Sequence, residues 1–177
     1  CLGEDLFSDL IRAEVDGDRL SADELRMTVA GLLVAGTDTT RNQLAASMQV
    51  LIEHPEQWEL LGERPELAMS AVEETMRHSP AVCSTIRSVK EDGELAGYTV
   101  PAGTFIFVNS FAANRDPASY ERPDDFDITR DSAPAVLTFG GGIHYCLGAN
   151  LARSMLRAEA RELFTRIPEF ETGEPDL

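Results

Sequence analysis

The sequence predicts a mainly α chain with small β sheets, an α+β class, and three observations carry that prediction. A serine–glutamate capping box opens an unusually long helical run, Ala22 to Glu53. A block rich in β-branched and aromatic residues follows over 82–108. A last helical run, Leu147 to Arg166, leaves a glycine-rich loop.

Residues 1–20 read as a short amphipathic helix (Leu6, Leu10, Ile11) and an acidic turn, Asp16-Gly17-Asp18. Ser21 caps a backbone N–H while Glu24 reaches back, which sets the start of the long helix. That helix stops at His54-Pro55, because a residue before proline avoids the helical region. Two helices with proline in their first turn come next, Pro55 to Leu61 and Pro65 to His78. Val82 to Val89, Tyr98 to Val100 and Thr104 to Val108 read as strands, with a type I turn at Val100-Pro101-Ala102-Gly103 between the last two. Residues 112–138 carry Pro, Asp and Arg without periodicity and read as an ordered, irregular loop. No repeat or linker is visible, so the 177 residues read as one piece of one domain.

Composition narrows the function classes. The formal net charge is -16, and Lys90 is the only lysine among fifteen basic residues. Phosphate-driven nucleic-acid binding and attraction to anionic membranes both need a basic surface. The longest apolar stretch, Val29 to Ala35, is far short of the roughly eighteen residues of a membrane span. Three cysteines, Cys1, Cys83 and Cys146, are an odd and sparse set. That argues against a disulfide framework and for a reducing compartment. A first residue of Cys rather than Met points to a fragment and leaves a targeting segment upstream an open matter.

Several places break local rules. Ala35-Gly36-Thr37-Asp38-Thr39-Thr40 sits in the middle of the long apolar helix, where glycine alone costs about 1 kcal/mol. Such conflicts mark functional sites. A weakened helix here would open its hydrogen-bond ladder, and Asp38 with Thr39 would form an acid–alcohol proton relay. The alternative is a kink with threonines bonded to the preceding turn. Glu74 and Arg77 stand three apart on a helix, and a buried Glu with two arginines would be a structural network. A lone pair at that spacing is more often solvated and worth little.

The strongest signal is Phe139-Gly140-Gly141-Gly142-Ile143-His144-Tyr145-Cys146-Leu147-Gly148. The glycines allow the backbone close to a flat ligand. Cys146 stands just before a helix N-terminus, which favours a thiolate and hence metal ligation. A buried cysteine beside a turn, a phosphate loop lacking its G-K-[ST] ending, and a zinc pair of His144 and Cys146 are the alternatives. Arg153, Arg157 and Arg161 recur every four residues, a stripe suited to an acidic partner or to a solvated face.

A-G-T-D-T-T, E-x-x-R, N-R-D-P with F-D-I-T-R, and F-G-G-G-I-H-Y-C-L-G occur in one order. Together they resemble the cytochrome P450 family in its soluble bacterial branch, over about 5–170. The resemblance implies the C-terminal part of that fold, running from the long central helix through the haem-binding cysteine loop to the terminal helix. It implies haem b, with Cys146 as the thiolate metal ligand. Phe139 matches the aromatic packed beside that sulfur, Gly140 and Gly148 belong to the same cradle, and the N–H groups of Leu147 and Gly148 would tune its charge. His144 and Arg87 match haem propionate ligands. Asp38 and Thr39 match the catalytic pair that supplies protons for dioxygen activation, and Ala35 and Gly36 flank the place where the helix widens. Glu74, Arg77 and Arg130 match a buried structural triad, with Arg115 a weaker fourth candidate. Gly31, Val34, Ala35, Cys83 and Thr85 match positions that line a pocket for a lipophilic substrate.

By the same resemblance the chain is a haem-thiolate monooxygenase that hydroxylates an organic substrate in the cytoplasm. It would use dioxygen and electrons from a ferredoxin and its reductase, with no membrane attachment. Family members are considerably longer, so an N-terminal portion with lid and further haem contacts is expected to be missing. A truncated remnant that binds no haem is the main rival. A peroxide-using variant is a weaker one, because Asp38-Thr39 would then be unnecessary.

Overall fold

The computed structural model describes residues 3–15, 17–130 and 136–167. Six α-helices are described: α1 Leu6–Arg12, α2 Ala22–Glu53, α3 Pro55–Glu63, α4 Ala68–His78, α5 Ser110–Ala113 and α6 Ala149–Arg166. They are interleaved with β1 Glu14–Val15, β2 Asp18–Arg19, β3 Ser84–Ser88, β4 Gly93–Leu95, β5 Tyr98–Val100 and β6 Phe105–Asn109. The expected class, mainly helical with small sheets, is the one observed.

The capping box forms at the head of α2. The Ser21 amide and hydroxyl both donate to Glu24 Oε2, at 2.8 and 2.7 Å, and the Glu24 amide donates back to Ser21 Oγ at 3.3 Å. α2 then runs unbroken for 32 residues until Pro55 forces His54 out of the helical region. The same device ends α3 at Arg64-Pro65. The run expected as one helix from Pro65 is split: Pro65–Leu67 is a single 3₁₀ turn and α4 begins at Ala68.

The chain divides into two compact units, Cys1–Arg41 and Asn42–Leu177, with the boundary inside α2. In the first, α1 is capped by the Asp5 carboxylate, which accepts from the Ser8 amide at 2.9 Å, and β1 and β2 make a tight hairpin around Gly17. Among the described residues of this unit no apolar side chain is buried. In the second unit the core lies where the end of α2, α3, α4, α6 and the segment 126–128 meet. It contains Val50, Trp58, Leu61, Met76, Ile128 and Leu156. Each such side chain contributes about 1.5–3 kcal/mol by leaving water.

The strands form separate two-stranded antiparallel sheets. β3 pairs with β6, from Ser84 opposite Asn109 to Ser88 opposite Phe105. β5 pairs with β4, a strand that the sequence reading missed because Gly93-Glu94-Leu95 is short and poor in β-formers. Ala96 and Gly97 join β4 to β5, both at positive φ, as a type I′ hairpin turn requires. The expected type I turn lies one residue later. Thr104 N–H donates to Pro101 O, and Gly103 at φ 83° gives it type II character. It connects strands of two different sheets.

Candidate functional site

Glu74 and Arg77 lie one turn apart on the buried face of α4, with side chains 4% and 1% exposed. A buried guanidinium must place five N–H donors. Arg77 places all of them: Nε and Nη2 on the two Glu74 oxygens at 2.8 and 2.9 Å, Nη1 on the carbonyls of Asn114 and Pro123, and Nη2 again on Asp125 O. Arg130 Nε approaches the same carboxylate at 3.2 Å, while its Nη groups bond the carbonyls of Glu121, Arg122 and Asp125. Glu74 also accepts the Asp127 amide. The irregular segment 114–130 is thus ordered around one carboxylate and two arginines. Burying an ion pair is costly unless every partner is supplied, and here the loop backbone supplies them. Arg115 does not join this network. It stacks on Phe111 at 4.0 Å, and its Nε lies 3.8 Å from Asp124.

Asn114 links the network to the cysteine loop. Fully buried, it gives its carbonyl to Arg77. Its side chain accepts from the Leu137 amide at 2.8 Å and donates to Thr138 Oγ1 at 3.0 Å. Thr138 in turn donates to Met76 O on α4. Phe139 closes a 3₁₀ turn, Leu137–Phe139, and its carbonyl accepts the Cys146 amide at 2.9 Å. The chain of contacts therefore runs from Glu74 to the backbone of Cys146. Sequence reasoning passed over Asn114, although it stands in the N-R-D-P segment. It also passed over Gln43, 4% exposed, whose amide binds Ser79 O and the Ala81 N–H.

Within the loop, Gly140 and Gly142 have φ of 71° and 65°, a region costly for any other residue. At Gly141 and Gly148 an added Cβ would meet nothing, so these positions face open space. Cys146 is a free thiol on that open face, beside Ile143 and Leu147, which are 97% and 81% exposed. α6 starts at Ala149, so the sulfur precedes the first turn, where backbone N–H groups lack helical partners. Phe139 is half-buried with its ring 6.4 Å from Tyr145. His144 is exposed. No cluster of three His, Cys, Asp or Glu able to hold a metal occurs among the described residues, which leaves the zinc alternative without a ligand set. An exposed thiol on a loop that also exposes Ile143, Leu147 and open glycines does fit a flat apolar macrocycle carrying its own metal.

The arginine stripe on α6 needs correction. Arg153 is only 20% exposed and grips Glu73 through Nε and Nη2, at 2.5 and 3.3 Å. Tied to Glu73, its guanidinium is held well above the usual arginine range and is a fixed cation. It is partly buried and paired with Glu73, whereas Arg157 on the same helix is exposed.

The remaining candidates sit on exposed elements. Thr85 and Arg87 lie on β3, and Arg87 Nη1 donates to Ile86 O at 3.0 Å. Cys83 is exposed with Sγ 3.4 Å from Pro80 O. Gly31, Val34, Ala35, Gly36, Asp38 and Thr39 lie on the first part of α2, all exposed. There the expected opening of the ladder is absent. Thr37 and Thr39 hydroxyls donate to the carbonyls of Leu33 and Ala35, both at 2.6 Å, and the helix continues. Asp38 pairs with Arg41 at 2.5 Å in solvent.

Two titrations are displaced near the network. Burial, then Arg115 and Arg77, pushes the His78 imidazole below its ordinary value. For Asp127 burial acts upward, but bonds from Thr129 and the charges of Arg122 and Arg130 outweigh it and lower the carboxyl.

The geometry agrees with known proteins. A family model described as cytochrome P450 matches residues 3–63 and 57–163. The chain is 45% identical to luteothin monooxygenase of Streptomyces thioluteus over 93% of its own length and 41% of that protein. It is 45% identical to vitamin D(3) 25-hydroxylase of Pseudonocardia autotrophica, with the same shares. Among solved structures it superposes on the Bacillus subtilis cytochrome P450 PksS with TM-score 0.87 and 37% identity, covering 94% of this chain and 43% of that one. The chain thus spans roughly two-fifths of the length of the relatives it matches. Fold, motif order and identity agree, and the chain belongs to the cytochrome P450 family.

Proposed function

We propose that this chain is the C-terminal, haem-ligating part of a monooxygenase that hydroxylates a lipophilic organic substrate. The observation that carries the reading is Cys146: a free, exposed sulfur before the first turn of α6, on a glycine loop tied through Asn114 to the buried Glu74 network. Cys146 would bind the iron of haem b as thiolate, His144 and Arg87 would bind its propionates, and Gly140, Gly148, Ala35 and Gly36 would leave room for its faces. The bound group supplies oxygen activation. The residues of the chain do the rest. Phe139 shields the sulfur, and the Leu147 and Gly148 N–H groups moderate its charge.

On α2 the Thr39 hydroxyl is already donated to Ala35 O, which leaves its oxygen able to accept a proton donor, and the Asp38 carboxylate lies one residue away. We assign these two the movement of protons, and Gly31, Val34, Ala35, Cys83 and Thr85 the shaping of the substrate pocket. Electrons would come from a ferredoxin and its reductase, in the cytoplasm; no described helix is long and apolar enough to cross a membrane. The proximal surface left for such a partner includes Arg157, since Arg153 is committed elsewhere.

Titrating the purified chain with haem tests this reading against a fold remnant. Stoichiometric uptake with a thiolate-type absorption spectrum is expected. Absence of any specific haem band, both here and in a longer chain containing this sequence, would contradict it.

A further inference from the structure

Two residues that the proposed chemistry does not use, Glu73 and Arg153, meet between α4 and α6. Glu73 immediately precedes the buried Glu74 but points the other way, toward α6. The Arg153 guanidinium does three things at once. Two of its nitrogens bind the Glu73 carboxylate, Nη1 donates to the Tyr145 hydroxyl at 3.0 Å, and the plane lies over the Phe139 ring at 4.4 Å. Tyr145 directly precedes Cys146, and the Phe139 carbonyl accepts the Cys146 amide. One planar cation therefore touches both residues whose backbones fix the cysteine.

We propose that Arg153 is a positioning residue: clamped by Glu73, it holds the cysteine loop at both ends and sets the place and electrostatic surroundings of the Cys146 sulfur. This rests on the reading of Cys146 as the haem ligand for its consequence, though not for the clasp itself. The guanidinium is suited to the task because a bidentate ion pair, a third donor and a flat face work together; a lysine ammonium has the charge without the fork or the plane. Glu73 neutralises the cation at the edge of the loop, so the pair adds rigidity with little net field. Removing one member leaves the other's charge uncompensated there.

Hydrogen exchange of the ligand-free 177-residue chain reads the clasp directly. Arg153→Gln should speed exchange of the amides of 140–146 by about tenfold, with the amides of α4 and the core of α6 still protected. Arg153→Lys should restore stability but only part of the loop's protection. Should Arg153→Gln not fold, Tyr145→Phe, which keeps the Glu73 pair, must still speed the loop alone. In the haem-loaded protein, Arg153→Gln should lower the reduction potential and Glu73→Gln raise it, since the charge left behind has opposite sign. Exchange that is unchanged, or that rises evenly through α4 and α6, overturns the proposal; so do potentials that move together. Absence of a thiolate spectrum in both this chain and a longer one containing it would refute only the haem reading, and the exchange result would still decide the clasp.

Discussion

Among the described residues four carboxylates pair with an arginine three residues later on a helix, and two of them, Asp38 with Arg41 and Glu74 with Arg77, differ sharply in surroundings. The spacing is the same and the surroundings are opposite. Asp38 and Arg41 are 62% and 71% exposed and, among the described residues, bond only each other by side chain. Glu74 and Arg77 are 4% and 1% exposed, and 114–130 wraps around them. A solvated pair at this spacing contributes a few tenths of a kcal/mol, while breaking a buried pair strands a charge in a poor solvent. Helical spacing brings two side chains together; the rest of the chain decides what their meeting is worth.

Matched neutralisation of the two acids is the sharpest way to break this comparison. Glu74→Gln should lower unfolding free energy by about 3–5 kcal/mol, because Arg77 and Arg130 lose their counter-charge. Denaturant titration measures it, and a cost comparable to a surface substitution would erase the distinction. Asn114→Ala comes next, at about 1–3 kcal/mol, since the Leu137 amide and Thr138 hydroxyl lose a buried partner. Thermal melting gives the size, and the order of the cysteine loop should fall with it.

Acid gives a smaller effect. The folded His78 binds its proton more weakly than the unfolded imidazole, whose ordinary value is 6.5. As pH falls below 6.5 the unfolded chain takes up that proton first, so stability declines; above 6.5 this contribution is fully present. Melts at pH 7.5 and 5.5 should show a wild-type decline steeper than that of His78→Gln. The smallest effect on stability belongs to Asp38→Asn, within about 0.5 kcal/mol. Under the proposed function the same change, like Thr39→Ala, should divert electrons from product. Equal coupling of electron use to product in all three proteins would remove the relay.

Much of the fold was legible from punctuation. Ser21 with Glu24 and the prolines at 55 and 65 set helix boundaries because capping and the missing proline N–H are local effects. Pairing of strands was not legible, since β3 finds β6 across the sixteen residues 89–104 and β4 is too short to announce itself. The sequence named Glu74, Arg77 and Arg130, and their side chains do meet. It could not name Asn114, Gln43 or the Glu73 partner of Arg153, whose importance arises only when distant segments converge. Nor could it distinguish Arg153 from Arg157: both lie on one helical stripe, and only packing against α4 turns one inward.

The central claim is a bond between one sulfur and iron. Its most direct test is the spectrum of the reduced, carbon-monoxide-bound protein, with Cys146 and with Cys146→Ala, in haem-loaded protein containing this chain. The account predicts the red-shifted Soret band of a thiolate ligand for the first and its complete loss for the second. Persistence of that band in Cys146→Ala would mean that another atom ligates the iron, and the assignment of Cys146 would be wrong.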